Sequence, residues 1–354
     1  MRKLWFIIAI FMAASVLGAC EHSSALNKVL FKTPLQCPCP TIAPLASYNL
    51  PSPNSYLGGI ATGPDGNIWV TEGDDNLVAR VTPSGTITEF SIPTAGAYPG
   101  IIRPGPDGNL WVVDYNFNII HRITPAGVIS EFPLPPPLAT APPNLSDIAI
   151  GPDGNMWFTS YGANVVGVMS TSGNLLASYS IPTANSGVGF IVKGSDGNMW
   201  FMESGTPTNC VYNIGRITMS GTITEFPIPT PTCDEPWSAI GGATVGADGN
   251  VWFTERFNAK VARITPSGVI TEFPQPVNPA NETLVRIVSA PDGSLWFEHN
   301  QLGSPWTAQV GKMDLSGNIT DLWSFPDAIL TGMTIGPDGS PWFTDQVGDR
   351  VVEL

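Results

Sequence analysis

The chain has 354 residues with 37 Gly, 35 Pro and 11 Trp but only 12% charged side chains, a profile of short strands and tight turns rather than long solvated helices. Its formal net charge of −14 argues against nucleic acid as a partner, and it makes the body one that anionic lipid headgroups repel.

In chain order, residues 1–19 read as a lipoprotein signal peptide. Arg2 and Lys3 precede an apolar run from Leu4 to Leu17, and Leu17-Gly18-Ala19-Cys20 resembles the bacterial lipobox. The run falls short of the ~20 residues needed to span a bilayer. Cys20 is therefore expected to carry lipid, placing the protein in the bacterial cell envelope, outside the cytoplasm, held to a membrane by acyl chains only. Residues 20–44, with Pro34, Pro38, Pro40 and Pro44, are read as a tether. Four further cysteines stand in a compartment that permits disulfides. Cys37 and Cys39 flank one proline, where a bridge would be strained, and are left unassigned.

From residue 45 to 354 the sequence repeats at intervals of 42 to 52 residues, the period of propeller blades. The signature Gly63-Pro-Asp-Gly-Asn-Ile-Trp69 recurs as Gly105 to Trp111, Gly151 to Trp157, Gly194 to Trp200, Gly246 to Trp252, Ala290 to Trp296 and Gly336 to Trp342. Around each signature lie four β-rich segments, here A to D, joined by Asp-Gly and Ser-Gly pairs that supply the positive φ of tight hairpin turns. The fold class is all-β: a single seven-bladed β-propeller of four-stranded blades. Blade 7 ends at Leu354 after its third strand, and Leu45 to Pro51 reads as an outer strand with no blade of its own. Pairing these two would close the ring and remove its exposed edges. The recurring Trp is read as packing between blades.

Strands A and B are antiparallel neighbours, so the end of B lies level with the start of A, on one face of the ring. Cys210 follows strand B of blade 4 and Cys233 precedes strand A of blade 5, which places both on that face and makes them the expected disulfide. The residues ending strand B are Glu72, Asp114, Ser160, Glu203, Glu255, His299 and Asp345. A ring of such carboxylates at a channel mouth would suit Mg²⁺ or Ca²⁺. A structural alternative pairs them with the basic residues of strand C: Arg80, Arg122, Arg216, Arg263 and Lys312. His121 reads as a mid-strand residue without a site role.

Runs such as Ile217-Thr-Met-Ser-Gly-Thr-Ile-Thr-Glu-Phe-Pro-Ile-Pro229 and Gly151-Pro-Asp-Gly-Asn-Met-Trp-Phe-Thr159 are similar to those of the streptogramin lyase (virginiamycin B lyase) family. The resemblance implies a seven-bladed propeller that uses Mg²⁺ to linearise a cyclic depsipeptide by elimination across its ester. It also implies histidines at the start of strand A in the last two blades and a metal-binding Glu at the end of the last strand B. The matching positions here hold Val285, Thr331 and Asp345, with Ile329 where the family has a Glu. Valine and isoleucine neither move protons nor bind cations. The sequence therefore favours a monomeric binding module for an envelope protein, peptide or glycan, with Tyr98, Tyr212 and Trp237 as contact anchors. The alternative is a Mg²⁺- or Ca²⁺-dependent lyase or lactonase-like enzyme acting on a cyclic ester, with the ion on Glu203, Glu255 and Asp345 and His299 or Glu298 as base. A purely structural envelope protein is the third reading.

Overall fold

The computed structural model describes residues 46–354 apart from Asn54, 206–211, 231–239, Phe257, 276–281 and 302–305. The lipid site at Cys20, the tether, Cys37, Cys39, Cys210, Cys233 and Trp237 lie outside the described residues. Among the described residues, twenty-eight strands form seven four-stranded antiparallel sheets. Blade 1 shows the unit, with strand A at Leu57–Thr62, B at Ile68–Glu72, C at Leu77–Val81 and D at Ile87–Ser91. Blade 7 consists of Leu330–Ile335, Pro341–Asp345 and Arg350–Glu353, completed by Ala46–Asn49. The closing pair is in register Ala46 to Glu353 and Asn49 to Arg350, as the chain ends suggested.

Alternation along each strand gives every blade two different faces. On the face toward the next blade, the signature Trp stacks on the strand D aromatic, as in Trp69 on Phe90 at 5.5 Å and Trp252 on Phe273 at 5.2 Å. These Trp side chains are buried, which settles their reading as core. The turn aspartate holds the ring in place: Asp65, Asp107, Asp153, Asp196 and Asp248 each accept from the indole Nε1 of their own Trp at 3.0–3.1 Å.

The two faces interlock around the ring. Gly127 in the C–D turn of blade 2, with φ +85°, lies where a Cβ would stand 1.9 Å from the Phe90 ring of blade 1. Gly85, Gly173, Gly221, Gly268 and Gly317 take the same place against Tyr48, Phe132, Tyr179, Phe226 and Phe273. Tyr48, from the closing strand, also stacks on Trp342 at 5.6 Å. The joint between blades 7 and 1 is thus built like the others.

Candidate functional site

The acids that end strand B do not line the channel. Glu72, Asp114, Glu203, Glu255 and Asp345 are all buried. Register places each on the face toward the preceding blade, the face that carries Val70 in blade 1 and Phe253 in blade 5. In four blades the same face holds a strand D glutamate: Glu89, Glu131, Glu225 or Glu272. These second glutamates bind the preceding blade. Glu89 accepts from Ser52 N at 3.2 Å, Glu131 from Thr94 N at 3.0 Å, Glu225 from Thr183 N at 3.0 Å, and Glu272 from the Thr230 hydroxyl at 2.6 Å. The carboxylates are therefore seam residues, and sequence periodicity alone could not say which face they occupy.

Burial sets their protonation. It pushes Glu72 up to about 8, helped by the charges of Glu89 and Asp75, and Glu203 up to about 8, helped by Glu225. Glu255 rises to about 7 for the same reason, although Asn258 donates to it at 2.9 Å. In blade 2 a histidine bridges the two acids: His121 Nε2 is 3.1 Å from Asp114 and Nδ1 is 3.4 Å from Glu131, with the ring fully buried. His121 thus has a structural partner on each side, a role that a lone mid-strand histidine does not reveal in sequence.

The recurring mid-strand C cations Arg80, Arg122, Arg216, Arg263 and Lys312 point the other way and do not pair with these acids. Arg80, Arg122, Arg216 and Arg263 donate to C–D turn carbonyls of the next blade, those of Pro125, Thr171, Pro266 and Leu315, at 2.8–3.0 Å. Each also lies over its own Trp and Phe, as Arg263 does at 5.4 Å. Lys312 pairs with turn residue Asp292 at 2.8 Å.

The residues considered for metal and base chemistry are likewise held apart. Among the described residues, no three His, Cys, Asp or Glu side chains converge on one point. Asp345 receives Arg350 Nε at 2.8 Å and the backbone amides of Val347 and Ile329 at 3.1 and 3.3 Å. Thr331 exchanges a hydroxyl hydrogen bond with Thr344 at 2.9 Å. A carboxylate already held by an arginine and two amides, one of them that of Ile329, does not fit Mg²⁺. His299 and Glu298 are neighbours on one strand and face opposite sides of the sheet. His299 Nδ1 lies 2.9 Å from Gln309 on the blade 5 side. Glu298 is buried on the blade 7 side and pushed up to about 8 by burial, with Arg286 drawing it down. The two cannot serve one substrate atom together.

Two features of the surface were missed in sequence. Tyr212, expected as an exposed anchor, is buried under blade 4, and Tyr98 is half-buried between Tyr56 at 5.8 Å and Tyr115 at 6.2 Å. Among the described residues, the exposed aromatics are instead Tyr56, Phe117 and Trp306, in loops on the face where strand B ends. The channel itself is a cavity of about 520 Å³ that takes lining from strand A of all seven blades and includes Arg103, Lys193 and Arg286.

The virginiamycin B lyase family model matches residues 41–175 and 138–354, the whole propeller. The chain belongs to the virginiamycin B lyase family. Among solved structures, a streptogramin B lyase superposes with a TM-score of 0.75 at 30% identity, covering 87% of this chain and 96% of the lyase. Virginiamycin B lyase from Staphylococcus aureus, as selenomethionine protein, gives 0.73 at 32% identity over 87% of this chain and 97% of its own. A catalytically inactive variant of the same enzyme, solved with quinupristin, gives the same values. No curated protein matches the chain. Within this family fold, the chain departs from the expected lyase residues at Val285, Thr331 and Ile329.

Proposed function

We propose that this chain is a binding member of the virginiamycin B lyase family that does not perform the lyase reaction, held at the cell envelope by a lipid on Cys20. The observation that carries the reading is the chemistry at the starts of the last two strands A. Val285 and Thr331 stand where the resemblance implies histidines, and Asp345 is saturated by Arg350 and two amides. A propeller with these groups keeps a rigid, multi-loop face without the proton-transfer residues that elimination needs. That face carries exposed Tyr56, Phe117 and Trp306, aromatic side chains of the kind that anchor binding interfaces.

The test incubates the purified chain with quinupristin and Mg²⁺ and follows ring opening by chromatography, alongside titration with Mg²⁺ and Ca²⁺. The expected result is no linear product and no saturable cation binding. Linear product above the buffer rate, or saturable binding abolished by both Glu255→Ala and Asp345→Ala, would overturn the proposal in favour of a metal-dependent enzyme. Anchoring is read separately, from whether Cys20→Ser releases the expressed chain from membranes.

A further inference from the structure

The channel inverts the electrostatics of the molecule. In a chain of net charge −14, its wall carries three cations, Arg103, Lys193 and Arg286. The carboxylate facing them is Asp147, which is buried and 3.4 Å from Arg103. Asp147 is also committed to the backbone, accepting from Ile148 N at 2.8 Å and Ile191 N at 3.2 Å. The wall is left with an excess of two positive charges.

Arg286 is built into the site. It extends from strand A of blade 6, donates Nη1 to Gly241 O in blade 5 at 3.0 Å and Nε to Thr331 O in blade 7 at 3.3 Å, and lies 4.7 Å from the centre of the Phe190 ring of blade 4. Contacts to three other blades fix the guanidinium, the carboxyl of Glu298 that acts on it is itself pushed up to about 8 by burial and so stays mostly protonated at neutral pH, and Nη2 has no acceptor among the described residues. Gly242, in the tier of Arg286, lets the strands pass closely: a Cβ there would stand 3.2 Å from the Arg286 Cα. Arg103 and Lys193 stand two and one residues before the A–B turn, toward the mouth opposite the B–C loops. Lys193 has no ion-pair partner among the described residues.

The remainder of the wall is apolar, with Ile101, Ile150, Phe190, Val245, Ile287 and Met333. A cavity of about 520 Å³ is of the size that encloses a small organic ligand. We infer that the central channel is a binding site for a small amphipathic carboxylate, whose head meets Arg286 in the positive field of Lys193 and Arg103 further along the wall and whose apolar body lies against the isoleucines and Phe190. A guanidinium with one free edge, with a further ammonium along the same wall, matches a monoanionic head. A dianion would have to shed a larger hydration shell into a mostly apolar wall. The inference goes beyond the proposed function, since it concerns the channel and not the loop face.

Isothermal titration of the full chain at low ionic strength with octanoate, octanamide, octylammonium and inorganic phosphate tests it. Octanoate is expected to bind saturably at one per chain, and octanamide at least about tenfold more weakly because the head charge is lost. Octylammonium should not bind, and added salt should weaken octanoate. Lys193→Met, at an exposed strand end, and Arg286→Met should each weaken octanoate by about tenfold with the melting temperature followed in parallel. Equal binding of octanoate and octanamide, tighter binding of phosphate than of octanoate, or unchanged octanoate binding in Lys193→Met with its fold intact would overturn the inference. None of these outcomes depends on whether quinupristin is turned over.

Discussion

Replacing Glu203 by Gln tests the buried seam acids most directly. In the folded chain burial and the Glu225 charge hold Glu203 near 8, against 4.5 for a free glutamate. As pH rises past 4.5 the unfolded chain releases this proton while the folded chain keeps it, so the folded state loses relative stability until the pH passes about 8. At pH 7 the loss is ~3 kcal/mol for this one group, from 1.36 kcal/mol per unit of pKa difference. Glu72 near 8 and Glu255 near 7 act in the same direction. The turn aspartates Asp107, Asp153 and Asp196 are lowered by hydrogen bonds from their Asn and Trp despite burial, so their contribution is lost only when pH falls into the acid range. Urea denaturation between pH 5 and 9 should show stability declining from pH 5 toward 8. Glu203→Gln retains an acceptor for Asn213 Nδ2, which donates at 3.2 Å, and should flatten the decline while matching the native chain at pH 5. A native profile that is level or rising across this interval, or a Gln variant with the native slope, would refute the reasoning.

Gly127→Ala combines φ +85° with a Cβ driven into Phe90, and should cost roughly 2–5 kcal/mol by denaturation. Gly66→Ala has a similar φ of +75° and open space around it, so about 1 kcal/mol is expected; equal losses would show that the interlock contributes nothing. Tyr48→Ala removes the stack on Trp342 and the plug against Gly85, and should cost about 2 kcal/mol, with limited proteolysis showing earlier cleavage in blade 7. Tyr48→Phe, which keeps the ring, should behave like the native chain in both assays.

The architecture could be read from the chain because its signals are periodic. Each Asp-Gly turn occupies the same local place, each Trp follows it at the same offset, and a strandless end matched an endless strand. The site could not be read the same way. A glutamate closing strand B has two faces to choose from, and register with strand D, together with the packing of Val70 and Phe253, decides it. Arg103, Lys193 and Arg286 were hidden for the opposite reason. Each is an exception in its tier, where other blades place Ala61, Thr62 or Gly59, so aligning repeats for what they share passes over them. Tyr212 could have been exposed or buried on sequence grounds, and its packing with Ile214 and Ile228 settled that.

The pairing of Ala46–Asn49 with Arg350–Glu353 also bears on the order of biosynthesis. The earliest strand of the body must wait, unpaired, until the last has been made, so no length of nascent chain short of Arg350 can adopt a closed form. Until then both rims of the growing array present free backbone amides and carbonyls, the surface through which strands recruit strangers.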